Sequence, residues 1–138
     1  MKKVLIIGNL GYIGPVLENH LYQKYQVYGY DIGFFSNNYS IENVVQLNNR
    51  NKAQYFGDVR NFDSELLNDI DKVVYLAAIS NDPMGNRFKD PTYDINKKSA
   101  INIAAESHVD NSFNNSFSLK LSSSLKYEKS AINIFLEI

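Results

Sequence analysis

The spacing of apolar residues changes along the chain, and each change marks an element. Lys3 to Ile7 is a short run of Val, Leu and Ile ended by Gly8, the pattern of a parallel strand buried on both faces. From Ile13 the period becomes helical. Ile13, Val16, Leu17 and Leu21 share one face, with Glu18, Asn19, Gln23 and Lys24 elsewhere. Pro15 falls in the first turn, where its missing N–H costs little. Gln26 to Tyr30 reads as a second strand ended by Asp31. Gln54 to Phe56 reads as a third, running into Gly57-Asp58, and Val73 to Ala78 as a fourth, buried one. Phe62, Leu66 and Ile70 share a helical face, and Pro91 to about Glu106 is a further helix. The polar stretch from Gly33 to Lys52 predicts a long loop with a short helix. Asn81 to Asp90, with Pro83 and Gly85, predicts another loop.

Strand, helix, strand, loop, strand, helix, strand, helix is the order of parallel strands joined by right-handed crossovers. It predicts an α/β fold with a doubly wound parallel sheet. No domain boundary is visible before residue 106, so residues 1–138 are read as one domain. The pattern degrades after that point. Phe117 to Leu121 is a candidate fifth strand, and Ala131 to Ile138 is apolar enough for strand or helix.

Composition mainly excludes. The 138 residues, 44% of them hydrophobic and 21% charged, suit one soluble globular core. A net charge of −1 offers no global field to recruit nucleic acid or an anionic membrane. The absence of cysteine removes disulfides, thiolate metal sites and a cysteine nucleophile, and fits the cytoplasm. No apolar run approaches the roughly 18 residues that span a bilayer. The apolar stretch after Lys2-Lys3 stops at Gly8, short of the about 7–15 residues of a secretory signal. Asparagine clusters at Asn48-Asn49-Arg50-Asn51 and Asn111-Ser112-Phe113-Asn114-Asn115 read as loops and carry no functional assignment.

The chemistry lies between the first strand and the first helix. Gly8-Asn9-Leu10-Gly11-Tyr12-Ile13-Gly14 is a G-x-x-G-x-x-G turn in the strand-to-helix setting that makes such a pattern informative. Gly8 permits the sharp exit from the strand. Gly11 has no side chain to hold a phosphate off the backbone. Gly14 lets helix and strand pack closely. The helix start then offers free N–H groups and partial positive charge to a pyrophosphate. Asp31, at the end of the second strand, is placed to accept hydrogen bonds from both hydroxyls of an adenosine ribose. It would repel a 2′-phosphate, and Ile32-Gly33 supply no compensating cation. The pair of features predicts NAD rather than NADP as cofactor.

Gly8 to Gly14, Asp31, Gly57-Asp58-Val59-Arg60 and Leu76-Ala77-Ala78, in that order, resemble the extended short-chain dehydrogenases/reductases, within them the nucleotide-sugar epimerases and dehydratases. The resemblance covers residues 1 to about 106 and implies a Rossmann-like NAD-binding fold, incomplete at its C-terminal end and without the substrate domain. It implies roles too. Tyr12 and Ile13 belong to the cofactor-binding turn. Asp58 would hold the adenine amino group, with the Val59 N–H beside it. Leu76, Ala77 and Ala78 would line the ribose and nicotinamide side. Asn96 would organise the active site from its helix. The implied chemistry is transient oxidation of a sugar at C4 by NAD, on a nucleotide-sugar substrate, with a homodimer as the implied assembly.

In that family a Ser or Thr after the fifth strand works with a Tyr-x-x-x-Lys pair. Ser122-Ser123-Ser124-Leu125-Lys126-Tyr127 resembles the hydroxyl segment, which makes Ser124 the candidate catalytic hydroxyl, although Glu128 stands where Gly is expected. The Tyr-x-x-x-Lys is missing from its place, since Tyr127 is followed four residues on by Ala131. Tyr93 and Lys97 match the spacing in a different part of the fold. The expectation is an NAD-binding portion that is inactive alone, the alternative a non-catalytic NAD-binding module or a degenerate remnant. Ala104 to Phe113 also resembles the segment that follows the fourth strand in dehydratases of the family, a place already filled by Ala77 to Asp82. Either Ala104 to Ser107 finishes a helix, or the chain joins pieces of two related genes; the join is the preferred reading. His108 would then be a copied surface residue. His20 reads as a helix-surface residue, and neither histidine as a ligand.

Overall fold

A computed structural model describes residues 1–35, 51–79 and 87–109, together with two short strands at 120–121 and 134–137. Six strands form one sheet: β1 (Lys3–Ile7), β2 (Gln26–Asp31), β3 (Asn51–Phe56), β4 (Lys72–Tyr75), β5 (Lys120–Leu121) and β6 (Ile134–Glu137), in the order β3-β2-β1-β4-β6-β5. The first four strands are parallel, with Ile7 opposite Tyr30 on one side and Tyr75 on the other. The edge pairings break the expected parallel pattern. β6 runs antiparallel to β4, and β5 antiparallel to β6, so the β4 edge that an all-parallel reading leaves open is hydrogen-bonded.

The pleat divides the apolar run of β1 between two cores. Leu5 and Ile7 join Tyr30, Val73, Tyr75, Ile103 and Ala104 on one face of the sheet. Val4 and Ile6 join Val27 and Val74 on the other, covered by Leu17 and Leu21. Helical segments on both faces make the sheet doubly wound, and β1 and β4 meet at its centre, where connections diverge to opposite faces.

Helix α1 (Gly14–Leu21) corrects the face read from periodicity. Ile13 and Val16 are 53% and 60% exposed, while Gly14 and Glu18 are buried and Leu17 and Leu21 pack half-buried. Gly14 causes the rotation. A Cβ there would lie 1.9 Å from the Asn9 carbonyl oxygen, so this position is the one pressed against the turn. Glu18, one turn on, follows it inward.

The expected helix around Phe62, Leu66 and Ile70 is instead two short 3-10 helices, Val59–Asn61 and Ser64–Leu67. Asp58 and Asp63 each accept from the backbone N–H two residues on, at Arg60 and Glu65, so each starts its own turn. The apolar triad still packs on the core. β3 begins at Asn51, three residues before the expected Gln54. The polar Asn51-Lys52 start hides it, yet Asn51 pairs with Val27 across a register irregularity. β4 ends at Tyr75, so Leu76 to Ala78 lie beyond the strand rather than within it.

After residue 86 the chain is helical from α2 (Lys89–Tyr93) through a π-helical segment (Asp94–Ser99) into α3 (Ala100–Val109). Ala104 to Ser107 is helical, within α3, with Ile103, Ala104 and Ser107 buried. His20 is exposed. Most of the long loop before Lys52, the 80–86 part of the second loop, and Ser122 to Tyr127 lie outside the described residues.

Candidate functional site

Parallel strands place all their C-terminal ends on one edge, and the residues singled out in the sequence gather there. Gly8 leaves β1 with φ +88°, a left-handed conformation that favours glycine. Its N–H continues the ladder, donating to the Tyr30 carbonyl at 2.7 Å. A Cβ on Gly8 would lie 2.4 Å from the Ala77 nitrogen and 2.7 Å from the Leu76 carbonyl carbon. The first glycine is therefore required by the backbone leaving β4 as well as by its own turn. Gly14 is required by contact with Asn9, as above. Gly11 differs, because among the described residues a Cβ there would meet the Gly8 carbonyl oxygen at 3.2 Å, tight but less than a clash.

Asp31 ties this turn to the next strand end. One carboxylate oxygen accepts from the Leu10 N–H at 3.1 Å and the other from the Gly33 N–H at 2.7 Å. A carboxylate offers about four acceptor sites, so these two bonds fix its orientation and leave capacity for ribose hydroxyls. Helix α1 opens directly from the turn with no side-chain cap and no acidic residue in its first turn, which leaves its start suited to an anion. Tyr12 is 96% exposed beside it. The glycines, the uncapped helix start and Asp31 fit the pyrophosphate and ribose of a dinucleotide.

Asp58 and Val59 follow β3. The Gly57 N–H donates to the Asp31 carbonyl at 3.0 Å, and the Tyr30 hydroxyl donates to the Asp58 carbonyl at 3.3 Å, which locks this strand end beside the previous one. Val59 is buried in the core. The Asp58 carboxylate also pairs with the Arg60 guanidinium, 2.5 Å at its closest. Hydrogen bonding from Arg60 holds the carboxyl below the usual carboxylate range, against a smaller opposing effect of burial.

Past β4, the Leu76 N–H donates to the Ile7 carbonyl at 2.7 Å before the chain leaves the sheet. Leu76 packs on one core and Ala77 on the other, and Ala78 is half-buried between Ala77 and Ile79. Asn96 holds the far end of this segment. It accepts from the Ile79 N–H at 2.8 Å and donates to the Ile79 carbonyl at 3.0 Å. The Asn96 side chain thus acts through the backbone of Ile79. Tyr75 adds a second tie, its hydroxyl donating to the Ile95 carbonyl at 2.6 Å. Burial, and secondarily the charge of Asp58, raises the Tyr75 phenol well above its ordinary range, so it stays a neutral donor.

Gly8, Gly11, Gly14, Asp31, Asp58 and Leu76 to Ala78 therefore share one edge, with Asn96 behind them. Ser124 lies outside the described residues. Sequence reasoning missed Asn9, Glu18, Gln54 and Tyr75. The first three form a buried polar cluster under the glycine turn, and a carboxylate at helical spacing reads as surface when its partners lie on other elements. Among the described residues no group of His, Cys, Asp or Glu could hold a metal ion, and no helix is long and apolar enough to cross a membrane.

The fold recurs in solved proteins. The UDP-glucuronic acid 4-epimerase of Bacillus cereus, in complex with UDP-glucuronic acid and NAD, is 28% identical, with 75% of this chain and 35% of that one covered and a TM-score of 0.65. The same enzyme in complex with NAD matches 78% of this chain and 37% of its own at 29% identity and a TM-score of 0.63. The UDP-N-acetylglucosamine 4-epimerase of Methanobrevibacter ruminantium M1 shares the fold, at 24% identity and a TM-score of 0.66 over 76% of this chain and 33% of that one. The chain spans about a third of the length of these structures. A family model matches residues 4–134, and the chain belongs to the NAD dependent epimerase/dehydratase family.

Proposed function

We propose that these residues form the NAD-binding portion of an enzyme that epimerises or dehydrates a nucleotide sugar through transient oxidation at C4. The observation that carries the reading is the division of labour in the glycine turn. Gly8 and Gly14 are closed in by backbone atoms closer than 3 Å to a Cβ, whereas at Gly11 a Cβ would meet, among the described residues, the Gly8 carbonyl oxygen at 3.2 Å. Folding requires glycine less strictly at Gly11 than at Gly8 and Gly14, which supports a role for Gly11 in admitting a phosphate to the backbone.

NAD, when bound, supplies a hydride acceptor. The residues proposed to hold it divide by region. Gly8, Gly11, Tyr12, Ile13 and Gly14 admit the pyrophosphate to the backbone. Asp31 receives the ribose hydroxyls and disfavours a 2′-phosphate by charge. Asp58 and Val59 serve the adenine, and Leu76, Ala77 and Ala78 the nicotinamide side. Asn96 positions that side through Ile79. A UDP-sugar as substrate is supported by the Bacillus cereus enzyme, which is in complex with UDP-glucuronic acid and NAD.

A second reading, an NAD-binding module without catalysis, is favoured by one observation. The Tyr-x-x-x-Lys pair within these 138 residues, Tyr93 and Lys97, lies on an exposed helix face, with the Lys97 ammonium 5.4 Å from the Tyr93 ring centroid. That ammonium is engaged on the ring face rather than on the phenol oxygen. Ser124 keeps its proposed role only under the first reading. Calorimetric titration of the purified chain with NAD and NADP tests binding, and assay with UDP-glucose, UDP-glucuronic acid and dTDP-glucose tests the expectation that this chain is inactive alone. Binding of NAD in preference to NADP is expected, without turnover by this chain alone. Absence of NAD binding would refute both readings, and turnover would refute the module.

A further inference from the structure

The cluster beneath the glycine turn is unusual because it is polar and its centre is wholly buried, with Gln54 and Asn51 half-buried around it. Asn9 and Glu18 are both 0% exposed. The Asn9 side-chain amide donates to Glu18 Oε1 at 2.8 Å and to Gln54 Oε1 at 2.6 Å, and its oxygen accepts from Gln54 Nε2 at 3.1 Å. Every hydrogen of that amide is used. Glu18 Oε1 also accepts from Asn51 Nδ2 at 3.0 Å. The glycine turn, helix α1 and strand β3 are joined through one side chain. β2 makes room for it, since a Cβ on Gly29 would lie 2.3 Å from both Asn9 Nδ2 and Gln54 Oε1.

Packing alone does not call for this arrangement. A buried carboxylate is costly unless hydrogen-bonded, and apolar residues of similar volume often serve stability as well or better. What the cluster adds is direction. Asn9 follows Gly8, and its backbone is the surface on which Gly14 rests. Holding the Asn9 side chain at two points fixes the plane of the peptide units between the two glycines. Those units are the ones a pyrophosphate would meet.

We infer that Asn9, Gln54 and Glu18 form a positioning brace that sets the shape of the Gly8–Gly14 turn for its ligand. The inference rests on the reading of that turn as an NAD site, but it makes a separate claim about the turn's rigidity. Removing the brace should loosen the turn while the sheet stays intact.

The experiment compares Glu18→Leu, Glu18→Gln and Gln54→Leu in the full chain. NAD is titrated by calorimetry, and amide hydrogen exchange is followed without ligand. Glu18→Leu and Gln54→Leu should bind NAD about tenfold or more weakly, as expected when a binding backbone is displaced by a fraction of an ångström. Glu18→Gln, which keeps the acceptor oxygen, should stay within about threefold of the parent chain. The Leu10 and Gly11 amides should exchange faster in the two leucine variants, with Leu5 and Val73 in the sheet unchanged. Unaltered NAD affinity and unaltered exchange at Leu10 and Gly11 in a folded leucine variant would overturn the brace. If the parent chain binds no NAD, the functional reading fails and the exchange data alone decide the brace. If Glu18→Leu does not fold, Gln54→Leu decides it by the same two outcomes.

Discussion

The Asn96 side chain is a two-bond clamp on Ile79, taking its N–H at 2.8 Å and giving to its carbonyl at 3.0 Å. The clamp sits in the π-helical segment, as does Ile95, whose carbonyl receives the Tyr75 hydroxyl. Single-turn π segments are frequent at functional sites because they redirect side chains within a helix. Here the widened turn aims two tethers at β4 and at the chain leaving it.

Asn96→Ala should release residues 76–79 from their far anchor. Removing two bonds to one backbone unit costs about 1–3 kcal/mol, visible as a lower midpoint in urea with an unchanged slope. NAD affinity should fall as well, because Ala77 loses its fixed place against Gly8. Asn96→Asp keeps the acceptor for the Ile79 N–H and should recover part of the stability. Full stability in Asn96→Ala would show that the clamp holds nothing.

Tyr75→Phe isolates the second tether. The ring still fills its place in the core, and only the bond to the Ile95 carbonyl is lost. A carbonyl left without its donor in a partly buried setting costs about 1–3 kcal/mol. Thermal unfolding checks this. The expected loss exceeds that for Tyr22→Phe, whose hydroxyl accepts an exposed bond from its neighbour Gln23.

Much of this architecture is legible in the residues, and the exceptions share a cause. The Lys3–Ile7 run, the glycine turn and Asp31 each carry their meaning within a few positions, and all three stand where their patterns put them. Glu18 does not. Helical periodicity assigns a carboxylate to the surface, and only the fold brings Asn9 and Asn51 to it from other elements, with Gln54 holding Asn9 in turn. The π-helical segment is equally hidden, since Asp94 to Ser99 has an ordinary helical composition and its irregularity serves Tyr75 and Ile79, distant in sequence. The two 3-10 turns are not legible, because the apolar period of Phe62, Leu66 and Ile70 suggests one helix, while the caps at Asp58 and Asp63 start two separate turns.

The three glycines should separate stability from binding. Gly8→Ala places a Cβ against backbone atoms in a left-handed conformation, and Gly14→Ala drives one into the Asn9 carbonyl. Both should destabilise the chain strongly, by upwards of about 2 kcal/mol, or prevent folding. Among the described residues Gly11→Ala meets the Gly8 oxygen, at 3.2 Å, and should leave thermal stability within about 1 kcal/mol. Its NAD affinity should nonetheless drop, because the added methyl would keep a phosphate off the backbone of the turn. Paired melting curves and NAD titrations of the three variants test this. A Gly11→Ala chain that binds NAD normally would remove the main support for the pyrophosphate site.

Acid should act on the strand end after β3 through Asp58. Arg60 holds this carboxyl below its ordinary range by side-chain hydrogen bonding, in spite of some opposing burial. A group whose folded pKa is depressed contributes stability above its unfolded value, roughly pH 4, and that contribution is lost as pH falls through the folded value. The Asp58–Arg60 pair should therefore be neutral in effect on the pH dependence near pH 7 and visible only on the acid limb. Replacing Arg60 by Leu removes the main lowering influence and leaves the burial effect, so the Asp58 titration should move upward. Carbon-detected NMR titration of the Asp58 carboxyl measures this directly. The same variant tests the adenine assignment, since a carboxylate no longer paired with Arg60 has more acceptor capacity for an amino group. Arg60→Leu should hold NAD at least as well as the parent chain at neutral pH, and weaker binding would instead place the guanidinium itself among the groups that hold the cofactor.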